Sequence, residues 1–162
     1  MTINTYQEII RTSEKRAKTA IINLRLMYSI CGLIEELEEL EGTAYDLSLI
    51  EPSTEEEILE KAGNIYYYIA NIATETNISL KVLLDKPLPQ NHKFVNPARI
   101  LRKAYSYEAL PEKYKLQLWD YLAFILQVIL PAYVDVETCL KANIEKHHKI
   151  QTCKIVNIED YR

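Results

Sequence analysis

The run Gly32-Leu33-Ile34-Glu35-Glu36-Leu37-Glu38-Glu39-Leu40 carries the densest chemistry in the chain, with five acids between positions 35 and 41. On a helix, Glu36 and Glu39 share a face. Two carboxylates so placed suit a hard cation such as Mg²⁺, which takes oxygen ligands. A solvated acidic face is the plainer reading of the same residues. Leu33, Leu37 and Leu40 interleave with the acids, and like charges one turn apart repel, so a compensating cation or partner fits the pattern.

A second cluster is basic. Arg99, Arg102 and Lys103 fall on one face of a short helix and suit phosphate, with a solvated basic face as the alternative. His147 and His148 are adjacent and so lie on different helix faces, unlike helical metal ligands, which are three or four apart. None of the three cysteines, Cys31, Cys139 and Cys153, has a base partner in sequence, and their spacing matches neither a disulfide framework nor a zinc pattern.

Three ordered segments resemble the MazG-like nucleoside triphosphate pyrophosphohydrolases, phage-type members among them. Tyr6-Gln7-Glu8, Arg11-Thr12 and then Gly32-Leu33 with its Glu-Glu-x-x-Glu look like the N-terminal half of that family. Glu60-Lys61-Ala62-Gly63-Asn64, leading into Ile65 to Ala73, looks like its later motif, a Glu-x-Gly-Asp core before an apolar, aromatic helix. Ala142-Asn143-Ile144-Glu145-Lys146 looks like its Asn-x-x-Lys element. The resemblance covers most of the chain, from Tyr6 to Lys146. It implies an all-α, MazG-like helical bundle, assembled as a homodimer or homotetramer. In the family an ExxE and an ExxD helix pack side by side, and their four carboxylates hold Mg²⁺ against the substrate's phosphates.

By that resemblance the first carboxylate pair falls on Glu36 and Glu39, and the second on Lys61 and Asn64. Neither of the latter is an acid. Lysine has no acceptor, and its charge opposes a cation. The two changes move the site's formal charge three units toward positive. Such a site favours direct contact with anionic phosphate over metal capture; a structural ion pair from Lys61 to Glu36 or Glu39 is the competing role. Glu57 and Glu60 form another acidic pair, but the Gly63-Asn64-Ile65-Tyr66-Tyr67 match disfavours a register shifted by a turn. Asp120, after Gln117, Leu118 and Trp119, reads as a surface or capping residue rather than a ligand. The resemblance further assigns Asn143 and Lys146 to the phosphate site, with Lys146 adding to the basic cluster.

The elements that position these groups are readable from periodicity. Tyr6, Ile9, Ile10, Ala17, Ile21, Leu24 and Tyr28 recur at helical spacing, predicting one or two helices over residues 3–41 with a stop at Gly42. Ser53 and Thr54, followed by Glu56 and Glu57, offer overlapping capping boxes for a helix to about Thr76, ended by Asn77. Ser79 caps a short helix to Asp85, and prolines bracket a connector over residues 86–96. A basic helix over Ala98 to Tyr105, one from Pro111 to a stop at Pro131, and one capped by Asp135 to about Lys149 complete a single domain over residues 1–149. Residues 150–162 read as a loose tail. The long apolar helices over Tyr66 to Ala73 and Tyr121 to Leu130 are expected to serve both core and subunit interface.

Composition narrows the function classes. The chain has 162 residues, 48% hydrophobic and 26% charged, with only three glycines, as in a helical globular protein. Its net charge of −4 opposes binding of a nucleic-acid polymer. The polar N-terminus lacks a signal-type apolar region, and Leu116 to Val136 is broken by Gln117, Asp120, Gln127, Pro131 and Asp135, so no membrane partner is expected and the reading is cytoplasmic. The expected function is binding or sequestration of a nucleotide or a nucleotide-derived signalling molecule, with hydrolysis impaired, as a phage could use against host defence. The alternatives are an active Mg²⁺-dependent pyrophosphohydrolase and a scaffold with a vestigial pocket.

Overall fold

The computed structural model describes residues 2–13, 22–46, 54–90, 96–106 and 109–159. All regular structure among them is helical. The turn considered near Lys18 and the Ser53 capping box lie outside these residues.

Helix α1 (Ile3–Ser13) buries Tyr6 and Ile10, one turn apart. Helix α2 (Ile22–Asp46) buries Leu26, Ile30, Leu33, Leu37 and Leu40. That alternating four–three spacing makes a narrow apolar seam, the pattern of a helix packed lengthwise on one partner. The partner is α3 (Glu55–Glu75), the hub of the fold, which also meets α1 and the C-terminal helix. Gly42 does not stop α2. A lone helical glycine costs about 1 kcal/mol against alanine, and the Leu33, Leu37 and Leu40 contacts outweigh that.

Both ends of α3 follow its sequence. The Thr54 hydroxyl accepts from the Glu57 amide at 3.2 Å, and the Glu57 carboxylate accepts from the Thr54 amide at 2.9 Å, closing the capping box. At the other end Asn77 has a φ of 59°. The Ile78 amide donates to Ala73 at 2.9 Å and the Asn77 amide to Thr74 at 3.2 Å, a Schellman turn with asparagine in the left-handed position. Ser79 caps α4 (Leu80–Asp85) through the Val82 amide. The Gln7 side chain grips this corner, donating to the Ile78 carbonyl and accepting from the Leu80 amide, both at 2.9 Å.

Helix α5 (Pro97–Ser106) packs on α2 and the following helix through Ile100 and Ala104. Helix α6 (Glu112–Phe124) continues as a π-helical turn over Ile125–Ile129 and a 3₁₀ turn over Leu130–Ala132. The chain therefore passes Pro131 before stopping; proline has no N–H for an α-helical bond, and the winding tightens there. Gln127 in the π turn donates to the carbonyls of Leu83 and Lys86 at 2.8 and 2.9 Å, and Lys86 pairs with Asp120 at 2.9 Å. Asp120 is thus a structural anchor for the end of α4.

Asp135 caps α7 (Val136–Glu159), accepting from the Thr138 amide and hydroxyl, which hold its carboxyl below the usual carboxylate range. The tail expected from residue 150 is instead helical to Glu159: with no glycine or proline after Lys149, nothing ends the helix there. Among the described residues no single helix is long and apolar enough to cross a membrane.

The core takes in Tyr66, Ile69, Ile72, Leu122, Ile125 and Leu126. The apolar stretch Tyr66 to Ala73 therefore supplies the core expected of it. Tyr66 also brings a buried hydroxyl with no hydrogen-bond partner, and burial pushes its phenol above the ordinary value. Tyr66→Phe removes this uncompensated group. It should raise stability by about 1 kcal/mol, read as a higher urea midpoint at unchanged slope.

Candidate functional site

Helices α2 and α3 run antiparallel, and their facing residues count in opposite directions: 25 with 75, 32 with 68, 36 with 64 and 39 with 61. Gly32 sets how close the helices come. A Cβ there would sit 2.3–2.7 Å from the Tyr68 ring, so the ring lies where only a glycine leaves room. This register brings the acidic pair of α2 onto Lys61 and Asn64 of α3.

Lys61 is ion-paired to Glu39. The Asn64 amide nitrogen donates to Glu36 Oε1 at 3.0 Å, while its carbonyl accepts from Lys146 Nζ at 3.3 Å. Those partners fix the amide's orientation. Flipped, it would set its carbonyl on a carboxylate and its NH₂ on an ammonium, both repulsive. Lys146 reaches across from α7 and also pairs with Glu60 at 2.6 Å. Of the two roles weighed for Lys61, the ion pair is formed here, with Glu39 as its partner.

Asn143, one turn before Lys146, holds a different position from the one expected. It is 4% exposed and accepts from the buried Tyr6 hydroxyl at 2.6 Å. Its amide packs over Gly63, where a Cβ would lie 2.9 Å from Nδ2. It joins α1, α3 and α7 and supports Lys146, but is too deep to meet a phosphate. The basic cluster of α5 does not merge with this group. Arg99 and Arg102 are exposed, and Lys103 lies over the Tyr114 ring of α6 at 5.7 Å. The reason is packing: Ile100 and Ala104 are the buried stripe of α5, and the basic residues fall outside it.

An aromatic row flanks the polar group. Tyr28 meets Tyr68 at 6.1 Å, Tyr68 meets Tyr67 at 5.3 Å, and Tyr67 stacks on His147 at 4.8 Å and 20°. Burial raises the Tyr68 phenol above its ordinary value, helped by its hydrogen bond to Tyr28 and by Glu36 and Glu35. Sequence reasoning missed this row as a unit; the glycine opposite a tyrosine-rich helix was its one signal. Cys139 is buried, its thiol pushed up to about 12, which leaves it unreactive near neutrality.

The donor set here does not fit Mg²⁺. Glu39 is held by an ammonium group, Asn64 turns its NH₂ toward Glu36, and neither Lys61 nor Lys146 can be a ligand. Among the described residues no three His, Cys, Asp or Glu side chains gather as a metal-binding group. Comparison with known proteins adds no relative: no family model, no curated protein and no solved structure matches the chain.

Proposed function

We propose that the protein binds a nucleotide, or a small molecule derived from one, at the surface where side chains of α2, α3 and α7 meet, as a MazG-like domain that holds its ligand without efficiently hydrolysing it. One observation carries the reading. Lys61 lies one turn before Asn64 on α3, Lys146 bonds Asn64 from α7, and both lysines sit in exchangeable ion pairs, with Glu39 and Glu60. Lys61 and Glu39 are 32% and 46% exposed, and Lys146 and Glu60 are 39% and 54% exposed. Pairs this open to water contribute about 0–1 kcal/mol. A polyphosphate offers each ammonium stronger, charge-assisted bonds, and the released carboxylates return to solvent. The adjoining aromatic row supplies faces on which a base can stack.

The test is calorimetric titration of the full chain with nucleoside triphosphates, and of Lys61→Ala and Lys146→Ala. Each substitution should weaken binding at least about tenfold, the scale of one charged hydrogen bond. No binding at high micromolar concentration would leave only a scaffold. One observation favours hydrolysis as a second reading: Glu36 Oε2 is buried with no hydrogen-bond partner. Steady pyrophosphate release with Mg²⁺, abolished by Glu36→Ala, would replace the binder reading with that one.

A further inference from the structure

The open surface of α3 is narrow. Between Ala62 and Ala73 only Asn64, Tyr67 and Tyr68 escape burial. They lie on one face, at three- and four-residue spacing, and Lys61 continues that face one turn earlier. Helix α2 borders the face on one side. Helix α7 borders it on the other, running parallel to α3: Cys139 meets Leu59, Asn143 meets Gly63 and His147 meets Tyr67. The strip therefore leads in single helical turns from Lys61 through Asn64 to two aromatic rings. We infer that Tyr68 is the platform on which the base of the bound nucleotide stacks, and that the site prefers purine over pyrimidine nucleotides. This rests on the nucleotide reading above and names the part of the ligand that the lysines do not touch.

The way Tyr68 is held suits it to this role. The ring atoms nearest to a Cβ at Gly32 are Cζ and both Cε, at similar distances, so the glycine lies under the face of the ring and not at its edge. One face is thus fixed on the α2 backbone, and the exposure that Tyr68 keeps belongs to its other face and rim. Tyr67 and Tyr28 meet it at 74° and 63°, so neither ring is stacked on it. Burial, Tyr28 and then Glu36 raise the Tyr68 phenol, which keeps the ring neutral near pH 7 and sets no charge against a phosphate. Glu36 is also the residue that accepts from Asn64, which makes the ring and the polar group neighbours.

Spacing fits one nucleotide. From Lys61 to Tyr68 is two turns, about 10 Å along the helix. A base over Tyr68 leaves its ribose over Asn64 and its phosphates toward Lys61 and Lys146. Inorganic phosphate would leave the ring uncovered, and a plain hydrocarbon would gain nothing from the ammonium groups. Stacking responds to the π-face rather than to the groups on the base edge. The two fused rings of a purine present more of that face than the single ring of a pyrimidine, hence the preference.

The experiment titrates ATP, GTP, CTP, UTP and inorganic triphosphate into wild type, Tyr68→Leu, Tyr68→Phe and Lys61→Ala. Tyr68→Leu keeps apolar bulk without a π-face and should weaken ATP and GTP about tenfold, while inorganic triphosphate stays within about twofold. Tyr68→Phe keeps the face and should stay within about threefold of wild type for every ligand. Lys61→Ala should weaken all five. If ATP and GTP survive Tyr68→Leu but fall with Lys61→Ala, the base platform is wrong and the phosphate site stands. Equal losses of nucleotide and inorganic triphosphate in Tyr68→Leu would mean structural damage and overturn the platform as well. If wild type binds none of the five, the nucleotide reading fails and this inference with it. Should Tyr68→Leu unfold, wild type alone decides: the four nucleotides carry the same phosphates, and equal affinities for purines and pyrimidines would sink the proposal. Folding is checked by the fluorescence of Trp119, the only tryptophan, whose indole donates to Thr76 at 2.9 Å.

Discussion

Substituting Lys61→Glu together with Asn64→Asp should turn this protein into a divalent-cation binder. Glu36 and Glu39 now meet one ammonium and one amide; the double variant sets four carboxylates across the same α2–α3 interface. The formal charge of these four positions falls from −1 to −4. Without metal the repulsion should destabilise the variant relative to wild type. With Mg²⁺ or Mn²⁺ it should recover, since a ligand at about 100 times its Kd stabilises by about 2.7 kcal/mol. For a domain of this size that is a rise in Tm of roughly 5–10 °C. Wild type should shift by less than about 1 °C at matched ionic strength, because its cation position is already filled from within the chain. Thermal unfolding followed through Trp119, with NaCl controls to remove screening, reads the difference. Equal shifts in wild type and variant would mean that Lys61 does not exclude the metal. Lys61→Glu alone should gain less, because the Asn64 amide still turns its NH₂ toward Glu36.

The helical architecture was legible where a single contact pattern dominates. The part of the seam formed by Leu33, Leu37 and Leu40 is visible as a repeat, and the Thr54–Glu57 box and the Asn77 turn are local chemistry that survives in any context. Phase was less legible. Tyr6, Ile10, Leu24 and Tyr28 fit one helical period, yet the structure buries the first two and exposes the others, because α2 turns its own stripe, begun at Leu26, toward α3. Gly42 failed as a stop for a related reason: tertiary contacts of α2 outweigh a local preference, whereas at Pro131 only one short 3₁₀ turn passes before the helix ends.

For the site, motif order was enough to place Lys61 and Asn64 opposite Glu36 and Glu39. Depth and orientation were not available from spacing. Asn143 and Lys146 are three apart and share a face, but only packing against Tyr6 and Gly63 shows that one is sealed in while the other reaches Glu60. The Asn64 amide is oriented by Glu36 from α2 and Lys146 from α7, so neither local segment encodes it. Arg25 and Glu75 are 50 positions apart and carry no local signal at all; the antiparallel register alone brings them to one cavity.

That dependence on Asn143 gives the second large expected effect. Gly63→Ala should be destabilising, although replacing glycine in a helix interior ordinarily gains up to about 1 kcal/mol. The added methyl would sit 2.9 Å from Asn143 Nδ2 and 3.2 Å from its Cβ, in a buried site with no slack, and overpacking of this kind costs about 1–3 kcal/mol. Asn143→Ala carries its own cost of about 1–3 kcal/mol, because it strands the buried Tyr6 hydroxyl. In the Asn143→Ala background, however, the amide is gone and only the 3.2 Å contact to Cβ is left, so Gly63→Ala should become nearly neutral. The cycle should therefore show about 2 kcal/mol of coupling, where independent sites would add within about 0.5 kcal/mol. Urea unfolding of the four proteins measures it; an equal cost of Gly63→Ala in both backgrounds would show that Asn143 is not the obstacle. The same displacement reaches the proposed site, since Lys146 lies one turn beyond Asn143 and bonds Asn64 at 3.3 Å. Gly63→Ala should thus weaken nucleotide binding while touching no ligand group.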